Sequence, residues 1–176
     1  FKGRTLAPRG GNSQGHVTLF GVASANAQDF ASNPGTYRAE GDLSLFQTIP
    51  DVVCHVVMDI SVNSAGSAST TNVVFSPGAT GHALCGSLIR PLTTNWNFVK
   101  ISKGVNTGQF QLQNVNVQAG AGTCSGTLTP LTLNWGGSNQ IVATTALVPG
   151  SPTVCQVSGL LNVTQTGGAA GPFRMP

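Results

Sequence analysis

The sequence predicts an all-β protein, an antiparallel β-sandwich of Ig-like or jelly-roll-like type with about ten short strands. Three observations predict this fold. Charged residues make up only 7% of the 176 residues, whereas soluble domains typically have roughly 25%, so helices with a charged face are not expected. Several segments alternate apolar and polar residues with the period of a strand. Turn signals rich in glycine and proline separate these segments at near-regular spacing.

Residues 1–24 are predicted to form an extended N-terminal arm. The first 15 residues are glycine-rich and basic and show no periodicity, whereas residues 16–24 are β-prone. This short β-prone run is either an edge strand of its own domain or a donor strand that pairs with a neighbouring subunit. The apolar residues of the candidate donor strand are Val17, Leu19, Phe20 and Val22.

The β-sandwich domain is predicted over residues 25–166. Its clearest strand is 52–62, where apolar residues occupy every second position without a break. In 109–118 the alternation slips by one residue near Asn114, which indicates a bulge. Residues 167–176 are predicted to be a free C-terminal tail. The other strands are predicted near 37–46, 71–76, 82–89, 96–101, 131–135, 139–148 and 154–164.

The domain is predicted to contain an internal duplication, with related halves at about 43–96 and 112–166. The segment from Cys54 to Cys85 and the segment from Cys124 to Cys155 each place 30 residues between their cysteines. A Pro-Gly pair precedes the second cysteine of each copy. Two copies with a period of about 70 residues indicate a duplicated β-unit and not a solenoid.

The four cysteines predict two disulfides and therefore an oxidising compartment, with four free, buried thiols as the alternative. Four cysteines allow three connectivities. The duplication favours the connectivity Cys54–Cys85 with Cys124–Cys155 but does not exclude the other two connectivities.

No catalytic, metal or cofactor site is predicted, so the protein is expected not to be an enzyme. The G-x-S-x-G match at residues 11–15 lacks the strand and helix that a nucleophile elbow requires. The histidines His16, His55 and His82 are isolated, and there is no C-x-x-C pair for zinc. Scattered basic residues argue against nucleic acid as a partner. No apolar run reaches the roughly 18–20 residues of a membrane span.

The two tryptophans, Trp96 and Trp135, each follow a cysteine by 11 residues. Each is predicted either to pack against a disulfide in the core or to be exposed as a ligand-binding aromatic. The core position is favoured.

The distribution of charge favours self-association. All five carboxylates lie between Asp29 and Asp59, and no Asp or Glu follows. Soluble sheets often protect a free edge with charged residues, which this chain lacks over most of its length. One explanation is that a strand from a neighbouring subunit occupies the edge. Such head-to-tail contacts produce a homopolymer unless they close into a ring.

The cysteine spacing, the Pro-Gly pairs, and the stretches Gly122–Leu128 and Cys155–Leu160 carry a family resemblance over roughly residues 40–164. They resemble the secreted bacterial protein activator of alkane oxidation family (PraB-like). The resemblance implies a secreted β-protein linked to growth on hydrophobic substrates and to biofilm, with no catalytic residues. The long N-terminal arm and the segment 91–96 depart from the family pattern. The composition is also similar to that of fimbrial subunits.

Together these features predict a secreted, extracellular or cell-surface subunit that assembles by strand donation into a fibre, biofilm matrix or surface layer. The first alternative is a secreted monomeric protein that assists uptake or oxidation of hydrophobic substrates, for which an exposed apolar patch or a cavity would be needed. The second alternative is a viral capsid or decoration protein.

Overall fold

The computed structural model describes residues 29–30, 34–47, 51–168 and 170–176. The candidate donor strand and the G-x-S-x-G motif lie outside these residues. Over the described residues the chain is all-β, and none of it forms a helix of the length and hydropathy needed to cross a membrane. The strands are β1 (Gly35–Phe46), β2 (Val52–Val62), β3 (Ala68–Ser76), β4 (Ile89–Pro91), β5 (Asn97–Lys103), β6 (Thr107–Ala119), β7 (Gly122–Asn134), β8 (Gln140–Val148), β9 (Gly150–Ser151) and β10 (Cys155–Gly168).

Eight antiparallel strands close into one barrel. Their order is β6-β5-β3-β2-β1-β10-β8-β7. The barrel closes because β7 also pairs with β6, in a ladder whose end pairs are Ala119 with Gly122 and Thr107 with Asn134. The short strands β4 and β9 pair with β6 and β7 respectively. This closure corrects the expectation of a two-sheet sandwich. Strands in both architectures have one inward face, so alternation alone does not distinguish them; the pairing of the sheet's outermost strands does.

The predicted alternation of β2 is confirmed. Every second residue from Val52 to Val62 is at most 9% exposed, while the residues between them are partly exposed. The same inward pattern on the other long strands produces one hydrophobic core inside the barrel.

The bulge predicted near Asn114 is also confirmed. The pairing of β6 with β7 shifts between Leu112 and Val115, and Asn114 has a φ of 65°. Asparagine tolerates this left-handed conformation better than most residues.

The prediction of a strand at 82–89 was wrong. Residues 77–88 form a loop, here called the β3–β4 loop, and pairing resumes only at Ile89. The Gly81 amide turns back to the carbonyl of Pro77 at 2.7 Å, and Gly86 has a φ of +89°. A strand cannot continue through these turns.

One end of the barrel is filled by aromatic rings. Phe30 and Phe173 are fully buried and stack with ring centroids 5.5 Å apart, and Phe30 meets Phe98 edge-to-face at 5.7 Å. Tyr37 and Phe110 complete this aromatic cluster. The cluster lies where β1 begins and β2 ends, opposite the end that carries both disulfides.

The C-terminal residues pack into this end, contrary to the expectation of a free tail. Phe173 and Met175 are at most 1% exposed. The side chain of Asn139 binds both backbone groups of Phe173, accepting from its N–H at 2.8 Å and donating to its carbonyl at 2.7 Å. The tail is short and glycine-rich, so its sequence lacks periodicity, but two large apolar side chains are enough to anchor it.

Charged side chains collect on the outer face of β1 and β2. The two ring nitrogens of His55 lie 2.9 Å from Asp42 Oδ1 and 3.0 Å from Glu40 Oε1, and Arg38 binds Asp59 at 2.9 Å. Ionised carboxylates only accept hydrogen bonds, so both contacts of His55 are made when both ring nitrogens carry a proton. The hydrogen bonds to Asp42 and then Glu40 raise the pKa of His55 above its usual value.

This histidine makes stability depend on pH. Because the pKa of His55 is higher in the folded than in the unfolded state, its contribution is complete below about pH 6.5 and is lost as the pH rises through the folded-state pKa. We expect the free energy of unfolding to fall by at most about 1 kcal/mol, since the group is near the surface. Urea unfolding across this pH range would measure the loss. In His55→Gln the same decrease should be absent; an identical pH profile in the variant would contradict this account.

Candidate functional site: an apolar cavity inside the barrel

The barrel encloses a cavity of about 60 Å³ that is lined only by apolar side chains. Seven of the eight barrel strands, all except β5, supply this lining together with Ile89 and Trp96. A water molecule needs two to four polar partners to be stable in a protein interior, and this lining offers none. The cavity therefore suits an apolar occupant.

Trp96 contributes its indole ring to the cavity. It is 3% exposed, and its Nε1 donates to Thr93 Oγ1 at 3.0 Å. Its backbone N–H donates to Thr70 Oγ1 at 2.8 Å. Both donors are thus satisfied by threonines, so the ring presents only carbon to the cavity. Trp135 is partly buried against the core and does not line the cavity.

Both predicted disulfides are present, with the pairing that the duplication favours. Cys54 is bonded to Cys85 and Cys124 to Cys155, with Cα–Cα distances of 5.6 and 5.9 Å. Cys54 and Cys124 also line the cavity. Two buried disulfides are consistent with an extracellular or periplasmic protein.

The lining is least buried at the disulfide end. Leu43, Leu45 and Phe75 are the half-buried members of the lining. Leu43 pairs with Cys54 across β1 and β2, and Leu45 pairs with Val52. At the opposite end the aromatic cluster closes the barrel. An occupant therefore has its shortest route to the surface at the disulfide end.

The cavity can hold a molecule by dispersion and hydrophobic contact, but its lining offers no acid, base or nucleophile. The charged group at His55 lies on the outer face of the sheet and does not contribute to the cavity. Within the described part of the chain, no group of three or more His, Cys, Asp or Glu residues is placed to hold a metal ion.

Sequence reasoning did not identify this cavity. No stretch of the sequence predicts a cavity, which is only a requirement of the alternative function in binding hydrophobic substrates. The cavity forms because inward residues from both halves of the chain leave space between them once β6 pairs with β7. Of the candidate residues, the structure places Trp96 and the half-cystines Cys54 and Cys124 on the surface of the cavity. Leu112 and Leu131, which also line it, were predicted only as strand residues.

Filling the cavity should stabilise the protein. At roughly 24 cal/mol per Å³, an empty cavity of this size costs about 1.4 kcal/mol. We expect Ala143→Val, which adds two methyl groups to a residue of the lining, to raise the free energy of unfolding by up to about 1 kcal/mol. The matched control is Ala39→Val, at a fully buried position away from the cavity, where overpacking should cost about 1–3 kcal/mol. Equal losses in the two variants, measured by urea unfolding, would show that the space at Ala143 is not usable.

Comparison with curated proteins and with solved structures found no match. The model of one family, described as alkane oxidation protein activator PraA/PraB-like, matches residues 14–168. This match includes every described strand and both disulfides. It agrees with the resemblance carried by the cysteine spacing and the Pro-Gly pairs. The chain therefore belongs to the PraA/PraB-like family of alkane oxidation protein activators.

Proposed function

We propose that this protein promotes alkane oxidation without catalysing it, as an extracytoplasmic protein that binds small hydrocarbons in its barrel. The observation that carries the proposal is the cavity of about 60 Å³ with a wholly apolar lining. The family description, which names the activation of alkane oxidation, supports the same class of ligand. The two disulfides support the compartment.

The chemistry of the lining favours alkanes over their oxidised products. Each methylene group moved from water into an apolar site gains about 0.8 kcal/mol. A hydroxyl placed in the same site loses its hydrogen bonds to water and costs roughly 1–3 kcal/mol. A protein with this preference would hold the substrate of an alkane-oxidising reaction and release the alcohol.

The size of the cavity limits what enters it without movement of the barrel. An engineered apolar cavity of about 150 Å³ in another protein binds benzene or xenon. A cavity of about 60 Å³ is less than half as large, so it accommodates a gas atom or an alkane of very few carbons. Longer alkanes require the surrounding wall to open.

Methyl NMR spectroscopy tests this proposal directly. We expect xenon and propane to shift the methyl signals of Met58, Leu112 and Leu131 in a saturable way, while 1-propanol shifts them less at equal concentration. Ala143→Val should abolish the shifts with xenon while remaining folded. The absence of any saturable shift with xenon and with propane would overturn the proposal.

A structural subunit of an extracellular fibre is the second candidate, and exposed apolar residues on the outside of the barrel favour it. Phe46 is 44% and Leu147 is 43% exposed, and both pair with Gln156, so they flank it on one outer row of the sheet. Val154, two residues earlier, is 51% exposed. An apolar row on a surface with few charges favours contact with another copy.

Negative-stain electron microscopy beside size-exclusion chromatography tests this second function. Filaments that are lost in Phe46→Lys or on deletion of residues 1–24 would support assembly, with the deletion testing donation by Val17, Leu19, Phe20 and Val22. A uniform monomer at the chain mass of 17.9 kDa would contradict it. The control is Val105→Lys, since Val105 is 89% exposed and lies on a turn away from this row.

A further inference from the structure

The barrel wall is least continuous beside β3. On its side facing β5, β3 forms a ladder of one residue pair, Ser69 with Asn97. One further backbone hydrogen bond joins Thr70 to Trp96. The pairing between β1 and β10, by contrast, runs from Gly35 to Phe46. Towards the disulfide end, the segment facing β3 is β4, which pairs with β6 and forms no ladder with β3. Backbone pairing therefore does not close the wall between β3 and β4.

The β3–β4 loop covers this gap and is weakly attached. Cys85 is its one buried residue; the other residues of 77–88 are exposed or partly exposed. Its backbone reaches the barrel through the His82 amide, which donates to the Val53 carbonyl at 2.9 Å, and through the Leu88 carbonyl, which accepts from Gly120 at 2.9 Å. At its C-terminal side, Gly86 and Leu84 also exchange backbone hydrogen bonds with Ile89 of β4, at 2.8 and 3.1 Å. Its covalent attachment is the disulfide to Cys54. Segments with few buried contacts open at low free-energy cost, so this bond is the main restraint on the loop.

The loop connects two residues of the cavity lining. Phe75, one residue before the end of β3, and Ile89, the first residue of β4, both line the cavity, as does Cys54 beneath Cys85. Phe75 is also one of the three half-buried residues of the lining. Movement of the loop away from Val53 would thus expose the cavity where the wall has no ladder.

We propose that the β3–β4 loop is the entrance through which small hydrocarbons reach the cavity, and that the Cys54–Cys85 disulfide holds this entrance closed. The inference rests on the proposed binding function and adds the route by which the hydrocarbon enters and the bond that keeps this route closed. It also gives the two disulfides different roles, although both join cysteines 31 residues apart.

The second disulfide provides a matched comparison. Cys155 begins β10 and pairs with Val148 of β8, and the next residue, Gln156, pairs with Phe46 of β1. Two ladders therefore hold Cys155 in place when its disulfide is removed. Because the loops closed by the two disulfides have the same length, removing either one should destabilise the folded chain to a similar extent.

Oxygen quenching of Trp96 phosphorescence tests the entrance. In a Trp135→Phe background Trp96 is the single tryptophan, and it lies on the cavity. Molecular oxygen is a small apolar quencher, so its bimolecular quenching constant reports access to the cavity without requiring tight binding. We expect Cys54→Ala/Cys85→Ala to raise this constant about tenfold, which corresponds to about 1.4 kcal/mol of lost closing free energy. Cys124→Ala/Cys155→Ala should leave it within about twofold, under 0.5 kcal/mol.

Equal quenching constants in the two disulfide variants, or a larger increase on loss of Cys124–Cys155, would overturn the proposed entrance. Methyl shifts with xenon would still stand in that case, so failure of the entrance is distinguishable from failure of the binding function. If Cys54→Ala/Cys85→Ala does not fold, His82→Pro tests the same route with both disulfides intact, because proline lacks the N–H that binds Val53. A quenching constant that His82→Pro leaves unchanged would then overturn the proposal.

Discussion

Replacement of Phe173 by alanine is expected to lower the free energy of unfolding by about 3–5 kcal/mol. The ring is fully buried and contacts Phe30, Tyr37 and Phe98 in the aromatic cluster. Alanine would remove the apolar area of the ring and leave a cavity between side chains of three different segments, which cannot collapse together. This loss is a large fraction of the roughly 5–15 kcal/mol that stabilises a typical domain.

Urea unfolding, followed by the fluorescence of the tryptophans, would measure this change. Val105→Ala is the control, because Val105 is 89% exposed and its truncation should change stability by less than about 0.5 kcal/mol. A loss below about 1 kcal/mol in Phe173→Ala would show that the C-terminal residues do not close the barrel in solution. Deletion of residues 170–176 should then also be tolerated.

Removal of either disulfide is the second large effect. For cysteines 31 residues apart, the loop-entropy relation gives a loss of about 3.7 kcal/mol on replacing both partners by alanine. The loss arises because the unfolded chain gains conformations when the loop is released. We therefore expect Cys54→Ala/Cys85→Ala and Cys124→Ala/Cys155→Ala to have free energies of unfolding that agree within about 1 kcal/mol.

Equilibrium unfolding in urea, with attention to the m-value, would test this expectation. A larger m-value in both variants would indicate a more expanded unfolded state, as the entropic account requires. A difference of more than about 2 kcal/mol between the variants would instead place the effect in the folded state, in the contacts that each disulfide makes there. The comparison also shows whether the two variants lose similar stability, which the quenching measurements on the β3–β4 loop require of a matched control.

Local patterns in the sequence were enough to predict several features of the site. The alternation in 52–62 predicted which side of β2 is buried, since a strand places successive side chains on opposite faces. The phase slip at Asn114 predicted the bulge. The repeated cysteine spacing favoured the observed disulfides, because two copies of one unit are expected to pair their cysteines in the same way. The duplication into halves at 43–96 and 112–166 stays a prediction.

Other features depended on contacts between residues far apart in sequence. Phe30, Phe98 and Phe173 belong to three separate segments, and none of these segments shows by itself that it ends in a shared cluster. The polar partners of Trp96 are local, at Thr93, and remote, at Thr70. Residues 77–88 form a loop because the chain turns at Gly81 and Gly86, which the predicted strand at 82–89 did not take into account.

The sequence by itself determined that the chain is all-β, where most strands run and which faces are apolar, and it favoured the observed pairing of the cysteines without deciding it. These properties follow from neighbours within a few residues or from an internal repeat, so they are visible without coordinates. Only the tertiary structure decided that the sheet closes through β6 and β7, that the tail fills one end, and that an apolar cavity remains behind the β3–β4 loop. The physical reason is that closure and void volume depend on the sum of side-chain volumes and on pairing between distant strands, which no single stretch of sequence specifies.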